Sequence, residues 1–269
     1  MGKFDGVLLV SDFDDTLYGA DLRVPPANVE AIGYFVEHGG TFTVATGRAH
    51  PAFAPHAQCV AINAPVILSN GSALYDFSAD RMVYETFLPD RVREDLQEVA
   101  RAVPEIGFEA YHHDDVYVYQ PNTVTWNHLT RANLTPTEIP IAQMPLPWSK
   151  VILQQSNDVL LRVQGYMLER WEELYEVIFS NLVLLELTCK GSNKGGMVDY
   201  LVKYLGMDPK KVYCVGDNQN DLPMLSRSTI PFAPANCAPE VKAWGARILC
   251  SCDEGCLAQV VEELDKIYA

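Results

Sequence analysis

Two patterns of apolar and polar residues alternate along the first part of the chain. Short apolar runs at 7–12, 41–46 and 65–69 are typical of buried strands. Between the first two runs, residues 25–40 place apolar side chains three and four positions apart. This segment starts with two prolines and ends near two glycines, as an amphipathic helix does. Strands that alternate with helices predict right-handed βαβ units and a parallel sheet.

The same alternation returns late in the chain. It predicts a helix at 193–206, a strand at 211–217, a short helix at 221–227, a strand at 246–251 and a helix at 254–267. The middle of the chain differs, because its runs favour antiparallel strands, with a hairpin around His113–Asp115. We therefore predict an α/β fold with two domains. Residues 1–83 and 189–269 form a Rossmann-like parallel-sheet core, and residues 84–188 form an inserted α+β domain.

Composition and charge narrow the function. The 269 residues are 48% hydrophobic and 20% charged, as in ordinary globular proteins, and carry a formal net charge of −15. Nucleic acids and anionic membrane surfaces select clustered Lys and Arg, so this charge argues against both as partners. No run approaches the ~18 apolar residues of a membrane span. Seven scattered cysteines suit a reducing compartment, and we expect a cytoplasmic protein.

The spacing of Cys250, Cys252 and Cys256 raises the question of a metal site. No second group with ligand spacing follows these three residues. We therefore interpret them as small core or helix-start residues.

Three aspartates, Asp12, Asp14 and Asp15, end the first predicted strand within four positions. Like charges this close repel each other and resist burial, so they cost free energy unless something compensates them. Side chains two apart on an extended chain share a face, which places Asp12 and Asp14 together. The carboxyl end of a strand in a parallel sheet is where ligands bind. Taken alone, the segment leaves open an Asp-rich turn without a ligand.

Three further segments place polar residues at strand ends or helix starts. They contribute Thr46 and Gly47, then Lys194, and finally Asp217, Asn220 and Asp221. Each segment alone is weak evidence for a functional site, because Thr46 could cap a helix, Lys194 could be a surface cation and the last segment could be a turn. All of them fall on the rim where a parallel sheet gathers its ligands. The lysine is not a P-loop lysine, because the P-loop spacing is absent.

The order of these motifs resembles the haloacid dehalogenase superfamily of phosphatases. The matching residues are D-x-D-x-T at 12–16, Thr46, Lys194 and G-D-x-x-N-D at 216–221. A long insertion follows VILSNGS at 66–72 and is similar to the large α/β cap of the Cof-type branch. The resemblance covers nearly the whole chain. Asp15 stands where the branch usually has Gly, and we expect little consequence because Asp tolerates left-handed backbone.

The resemblance implies a role for each motif residue. Asp12 would attack phosphorus and form an aspartyl-phosphate, while Asp14 would protonate the leaving oxygen and then deprotonate the attacking water. Mg²⁺ would be held by Asp12, the Asp14 carbonyl and Asp217. The remaining residues would bind phosphoryl oxygens (Thr46, the Gly47 amide and Lys194), orient Lys194 and the metal ligands (Asn220 and Asp221) or line the entrance (Arg48 and Asn70).

The resulting prediction is a Mg²⁺-dependent phosphatase acting on a small phosphorylated metabolite. Sugar phosphates are the family expectation, and cofactor phosphates such as pyridoxal phosphate stay open. A phosphomutase would use the same motifs. A receiver-like phosphoacceptor module also uses an acidic pocket, a Thr and a Lys, but Asp14 and the large insertion argue against it. A last alternative is that the D-x-D-D segment is the carbocation-generating acid of a terpene cyclase. This hypothesis conflicts with the βαβ pattern of the chain.

The predicted cap carries less information. Its YHHDD segment at 111–115 suggests a metal- or sugar-binding loop, but a plain hairpin tip is the expectation. Trp126, Trp148 and Trp171 are predicted to be core or domain-contact aromatics rather than platforms for sugar stacking. The sequence does not predict the oligomeric state.

Overall fold

The computed structural model describes residues 2–269. Within these residues the chain forms fourteen strands: β1 (Leu8–Asp12), β2 (Thr41–Ala45), β3 (Val66–Leu68), β4 (Ala73–Asp76), β5 (Arg81–Glu85), β6 (Gly107–His112), β7 (Asp115–Tyr119), β8 (Thr137–Glu138), β9 (Lys150–Gln154), β10 (Tyr175–Asn181), β11 (Leu184–Cys189), β12 (Val212–Val215), β13 (Pro231–Ala233) and β14 (Arg247–Ile248). The same residues form nine α-helices: α1 (Pro26–Glu37), α2 (His50–Phe53), α3 (Val92–Ala102), α4 (Thr123–Ala132), α5 (Asn157–Trp171), α6 (Lys194–Leu205), α7 (Leu222–Leu225), α8 (Pro239–Trp244) and α9 (Cys256–Ile267). None of the helices in this described part of the chain has the length and apolar character needed to cross a membrane.

The larger sheet contains eight strands in the order β14-β13-β12-β1-β2-β3-β4-β5. Neighbours from β14 to β3 are parallel, and β4 and β5 add an antiparallel edge. The five strands predicted in the first and last parts of the chain all lie in this sheet, although the one predicted at 246–251 is reduced to Arg247–Ile248. The predicted α/β class with a parallel-sheet core is therefore confirmed.

Helices cover both faces of the larger sheet. Side chains alternate along β1, so Leu9 packs on the side of α1 and α9 with Phe35 and Leu257. Val10 packs on the opposite side with Leu201 of α6. All five residues of β1 are buried, which explains the apolar run Leu8–Val10 that precedes Ser11 and Asp12.

A second sheet lies within residues 107–189 and has the order β10-β11-β9-β6-β7-β8. Its neighbours are antiparallel except β7 and β8, and the hairpin predicted around His113–Asp115 is confirmed as β6–β7. One face packs against α3 and α5, whereas alternation turns Glu109, Lys150 and Glu186 to the other face. The antiparallel character agrees with the expectation for the middle of the chain. The domain limits at 84 and 188 stay a prediction.

Two of the three predicted core tryptophans are buried. Trp148 and Trp171 lie in the core of the second sheet. Trp126 is 47% exposed, so the prediction was wrong for this residue. It lies on α4, an amphipathic helix that buries Thr125 and Leu129 instead.

The cysteines behave as small core or surface residues. All seven are free, and Cys252 and Cys256 are buried. Across residues 2–269, no cysteine belongs to a group of side chains that could hold a metal ion.

Candidate active site

The strand order of the larger sheet reverses between β1 and β12. The chain adds β2 and β3 on one side of β1, and it adds β13 and β14 on the other side of β12. In open α/β sheets, a crevice for ligands forms at such a point, beyond the carboxyl ends of the strands. Asp12 ends β1, and Gly216 and Asp217 follow β12. The first and last predicted motifs are therefore neighbours in space.

A buried lysine joins the two motifs. Lys194 is the first residue of α6, and its Nζ donates to Asp12 Oδ1 at 2.5 Å and to Asp221 Oδ1 at 2.6 Å. α6 lies close to Pro223 of α7 because residue 195 is a glycine. A Cβ at this position would overlap the carbonyl oxygen of Pro223. Buried charges require partners, and here one ammonium group compensates two carboxylates.

Asp217 completes a cluster of three buried carboxylates. Its Oδ1 accepts a hydrogen bond from the Thr16 hydroxyl at 3.1 Å. Asp221 Oδ2 accepts from the backbone N–H groups of Asp217 and Asn218 at 2.9 and 3.0 Å. Carboxylate oxygens of Asp12, Asp217 and Asp221 lie within 4.8 Å of one another. Asp12 and Asp217 each keep one oxygen that accepts no hydrogen bond from residues 2–269, and free carboxylate oxygens fit Mg²⁺.

Burial and charge shift the titration of this cluster. Burial raises the pKa of the Asp12 carboxyl well above its usual range, although Lys194 opposes the shift. Burial, with the charge of Asp221, also raises the pKa of Asp217 to about 7. The pKa of Lys194 is raised as well, because Asp12 and Asp221 outweigh the effect of burial. The cluster therefore has an excess of negative charge that a divalent cation would neutralise.

Asp14 is held by an arginine. Arg48 donates to both of its carboxylate oxygens, from Nη2 at 2.8 Å and from Nε at 2.9 Å. The guanidinium group of Arg48 stacks over the Phe13 ring at 5.0 Å from its centroid, and Arg131 of α4 approaches Asp14 at 3.6 Å. Burial would raise the pKa of Asp14, but the hydrogen bonds and charge of Arg48 outweigh it and hold the pKa below its usual value. Arg48 was predicted to line the entrance of the site. In the structure it forms two hydrogen bonds to the Asp14 carboxylate.

The loop after β2 closes one side of the site. Thr46 is buried, and its hydroxyl oxygen accepts from the Arg48 N–H at 3.1 Å. Gly47 lines the cavity together with Asp12, and its N–H donates to no residue in the described part of the chain. These two groups are placed on the same rim as the aspartates. Their binding to a phosphoryl group stays a prediction.

Asn70 and Asn220 meet beside this loop. Asn220 Nδ2 donates to Asn70 Oδ1 at 3.0 Å, and Asn70 adopts left-handed backbone with a φ of 54°. The Asn70 N–H donates to the Thr46 carbonyl at 3.0 Å. Asn220 therefore positions Asn70. Of the two residues predicted to orient Lys194, Asn220 and Asp221, it is Asp221 that contacts it.

A cavity of about 170 Å³ lies above Asp12, between the two sheets. Its roof comes from the second sheet, α4 and the loop after α4, and its polar or aromatic side chains are Tyr111, His128, Arg131, Lys150, Ser180, Asn181 and Glu186, beside the apolar Ala132, Leu134 and Leu184. Apart from Tyr111, which opens the YHHDD segment, none of these residues was predicted to belong to the site. The one available signal was a charge within an otherwise apolar strand, as Lys150 in KVILQ and Glu186 in LLELTC.

Lys150 connects the roof to the loop after β2. Its side chain is 2% exposed, and its Nζ donates to the Gly47 carbonyl at 2.6 Å. The ammonium group also lies 4.4 Å from the centroid of the Tyr111 ring and 3.6 Å from Glu186 Oε2. These contacts fix the roof directly over the predicted phosphate-binding loop.

A buried carboxylate supports the other end of the roof. Glu109 accepts from the Tyr111 hydroxyl at 2.7 Å and from Gln154 Nε2 at 2.6 Å, and it pairs with His128 Nδ1 at 3.0 Å. Burial would raise the pKa of Glu109, but these hydrogen bonds, that of His128 first, hold it below its usual value. The network fixes Tyr111 and His128, which both line the cavity.

The rest of the YHHDD segment stays outside the cavity. Only its first residue, Tyr111, lines it. His112 Nδ1 contacts the carbonyl oxygen of Pro147 at 2.8 Å, and the side chain of Asp114 is 72% exposed. The segment is a hairpin tip, as expected, and the described residues form no candidate metal group there.

Known phosphatases are similar in sequence to most of this chain. A pyridoxal phosphate phosphatase of Escherichia coli is 27% identical over 257 residues, which cover 88% of this chain and 90% of that protein. An HMP-PP phosphatase of Serratia proteamaculans is 24% identical over 250 residues, which cover 88% of this chain and 86% of that protein.

Solved structures share the fold over nearly the whole chain. A haloacid dehalogenase-like hydrolase from Bacteroides thetaiotaomicron has a TM-score of 0.82 at 23% identity and covers 97% of this chain and 99% of its own. A sugar phosphatase of HAD subclass IIB has a TM-score of 0.84 at 17% identity, with 96% and 99% covered. The family model for haloacid dehalogenase-like hydrolases matches residues 9–261. The resemblance drawn from the motifs is confirmed, and this chain belongs to the haloacid dehalogenase-like hydrolase family.

Proposed function

We propose that this chain is a Mg²⁺-dependent phosphatase that hydrolyses small phosphomonoesters, sugar phosphates among them, through an aspartyl-phosphate on Asp12. One observation carries the proposal. A buried aspartate, paired with Lys194 and next to Asp217, lies at the switch point of the sheet under a small cavity. The names of the relatives support phosphate ester hydrolysis as the reaction.

The carboxylate cluster suits a divalent cation. Asp12, Asp217 and the Asp14 carbonyl are the groups that would hold Mg²⁺, with Asp221 occupied by Lys194 and two backbone amides. When bound, the metal would neutralise charge between a carboxylate nucleophile and a phosphate dianion. Lys194 supplies the protein's own share of that neutralisation, because it lies within hydrogen-bond distance of Asp12.

The chemical steps use residues of this chain. An oxygen of Asp12 forms a bond to phosphorus while the bond from phosphorus to the leaving oxygen breaks. The Thr46 hydroxyl and the Gly47 N–H hold the phosphoryl oxygens during this transfer. Asp14 gives a proton to the leaving oxygen. It then takes a proton from the water that attacks phosphorus and releases Asp12.

Arg48 gives the two functions of Asp14 different requirements. Its paired hydrogen bonds favour the ionised carboxylate, the form that accepts a proton from water. Protonating the leaving oxygen requires the protonated carboxyl of Asp14. Arg48 therefore has to loosen its hydrogen bonds to Asp14 when substrate enters.

The substrate is proposed from the size of the cavity and from the relatives. A cavity of about 170 Å³ suits a small leaving group rather than a macromolecule. One relative is named a pyridoxal phosphate phosphatase, and a structural neighbour is a sugar phosphatase. Both substrate types are small phosphomonoesters.

The test is a phosphate-release assay on a panel of phosphorylated sugars and cofactors, in Mg²⁺ and in excess chelator. The Asp12→Asn variant serves as the blank. We expect release only with Mg²⁺, and full turnover in chelator would contradict the metal assignment. Release from a single sugar phosphate without a bisphosphate activator distinguishes a phosphatase from a phosphomutase. A stable phosphoprotein without turnover would instead support a phosphoacceptor module.

A further inference from the structure

Two buried polar atoms in the roof of the cavity have no hydrogen-bond partner among residues 2–269. They are Glu186 Oε2 and Ser180 Oγ, and both residues line the cavity. Glu186 is 6% exposed. A buried polar atom without a partner costs free energy, so such atoms commonly mark the place of a bound group.

Glu186 lies close to the place where the phosphate would react. β11 alternates between its two faces, which places Leu185 and Leu187 in the core and Glu186 toward the cavity. A Cβ on Gly47 would lie 3.4 Å from Glu186 Oε1, so the carboxylate stands directly over the predicted phosphate-binding loop. Lys150 holds it there, with Nζ at 3.6 Å from Glu186 Oε2 and a hydrogen bond to the Gly47 carbonyl.

The chemistry of these atoms restricts the leaving group. A carboxylate oxygen only accepts hydrogen bonds, so its partner on the substrate must be a donor, such as a hydroxyl or amino group. The hydroxyl of Ser180 can serve as donor or acceptor beside it. A leaving group without a donor would leave Glu186 Oε2 buried without any hydrogen bond, with only the Lys150 ammonium group at 3.6 Å.

The charges around the cavity disfavour a second anionic group on the leaving group. Five carboxylates and three Arg or Lys cations line it. Each cation already has a protein partner: Arg48 pairs with Asp14, Arg131 with Asp14 and Asp15, and Lys150 with Glu186. A carboxylate or second phosphate on the leaving group would therefore face negative charge without a free counter-ion.

We propose that Glu186 determines substrate specificity by accepting a hydrogen bond from the leaving group. It selects phosphomonoesters whose leaving group is neutral and carries a hydroxyl or amino donor, over those that carry another acid. The assignment rests on the proposed phosphatase function and adds the class of leaving group.

The test compares the Glu186→Gln variant with wild type on two kinds of phosphate. One is whichever of glucose 6-phosphate, ribose 5-phosphate and pyridoxal 5′-phosphate the wild type turns over best. The other is 2-phosphoglycolate, which has a carboxylate and no hydroxyl donor. Glutamine keeps the shape and removes the charge. Glutamine still has one acceptor oxygen, so we expect kcat/KM to fall by about 5- to 10-fold on the hydroxyl-bearing phosphate, the difference between a hydrogen bond to a charged group and a neutral one. On 2-phosphoglycolate it should rise, because a like charge is removed.

Two further variants isolate the effect. Glu169→Gln makes the same substitution on the surface of α5, where the side chain is 78% exposed, and should change neither value. Ser180→Ala removes the second unpaired atom, and we expect a loss of about 2- to 10-fold on the hydroxyl-bearing phosphate, as for a neutral hydrogen bond. Thermal unfolding of each variant checks the fold.

The possible outcomes separate this assignment from the proposed function. Opposite changes on the two phosphates support Glu186 as the specificity residue, because a merely structural defect lowers both. Equal losses on both, no change on either, or a wild type that prefers 2-phosphoglycolate would overturn the assignment and leave the phosphatase function intact. A wild type that releases phosphate from none of these compounds, nor from p-nitrophenyl phosphate, would overturn the proposed function itself.

Discussion

Replacing Lys194 with methionine tests whether this side chain balances the buried carboxylates. Methionine is unbranched and flexible, so it fills the space of the lysine stem without its charge. The variant leaves Asp12 and Asp221 without the ammonium group that lies 2.5 and 2.6 Å from their oxygens. Removing one partner of a buried ion pair costs about 3–5 kcal/mol of unfolding free energy. For a chain of this size each kcal/mol shifts Tm by about 2–4 °C, so Tm should fall by roughly 6–20 °C.

The assay is thermal unfolding followed by circular dichroism, in excess chelator and in excess MgCl₂. We expect the loss in Tm to be larger in chelator, because a bound divalent cation stabilises the folded state and replaces part of the missing charge. Lys203→Met is the matched control, since Lys203 is exposed on the same helix. Its unfolding free energy should change by no more than about 0.5 kcal/mol.

Activity gives a second measurement on the same variant. Lys194→Met should lower the rate of phosphate release by at least about 10²-fold, as the loss of a preorganised charge does. The reasoning is refuted if Lys194→Met is as stable in chelator as Lys203→Met. That result would mean that three clustered carboxylates tolerate burial without an internal cation.

Three other substitutions test the remaining roles. Asp12→Asn should abolish phosphate release with little change in Tm, and activity within tenfold of wild type would exclude Asp12 as the nucleophile. Asp14→Asn should lose roughly 10²- to 10⁴-fold on a sugar phosphate but keep a burst of p-nitrophenol from p-nitrophenyl phosphate, whose leaving group needs no proton. Equal losses without a burst would make Asp14 structural. Glu109→Gln should cost about 2 kcal/mol of unfolding free energy at neutral pH, because three hydrogen bonds to a buried carboxylate weaken. The pKa of Glu109 is depressed from 4.5, so its stabilisation is complete above that pH and lost as the pH falls through the folded pKa. Urea unfolding should show the two proteins converging in acid, and a constant difference would contradict this.

Much of the site could be predicted because its motifs follow local patterns. The apolar run before Asp12 and the helix that begins at Lys194 are visible in the sequence, since strand and helix periods differ. Residues at the carboxyl ends of parallel strands share one rim by geometry alone, which brings Asp12 and Asp217 together. The prediction for Trp126 was wrong because a single aromatic residue on an amphipathic helix does not reveal its face.

The partners of the motif residues depended on the tertiary structure. Arg48 lies 34 positions from Asp14 along the chain and yet holds both of its oxygens. Asn220 contacts Asn70, 150 positions away, rather than Lys194. Such pairs are set by which loops meet at the rim, and no periodicity within a segment encodes that meeting.

The sequence by itself determined the alternation of strands and helices and the order of acidic, threonine and lysine motifs. These features depend on neighbours a few positions apart, through side-chain period, capping and chain direction. Only the tertiary structure decided the roof of the cavity. Lys150 reaches the Gly47 carbonyl across 103 positions, and Glu186 lies over the same loop with an oxygen that accepts no hydrogen bond. That meeting depends on the register of the second sheet and on its packing over the first, and both follow from long-range contacts between buried surfaces.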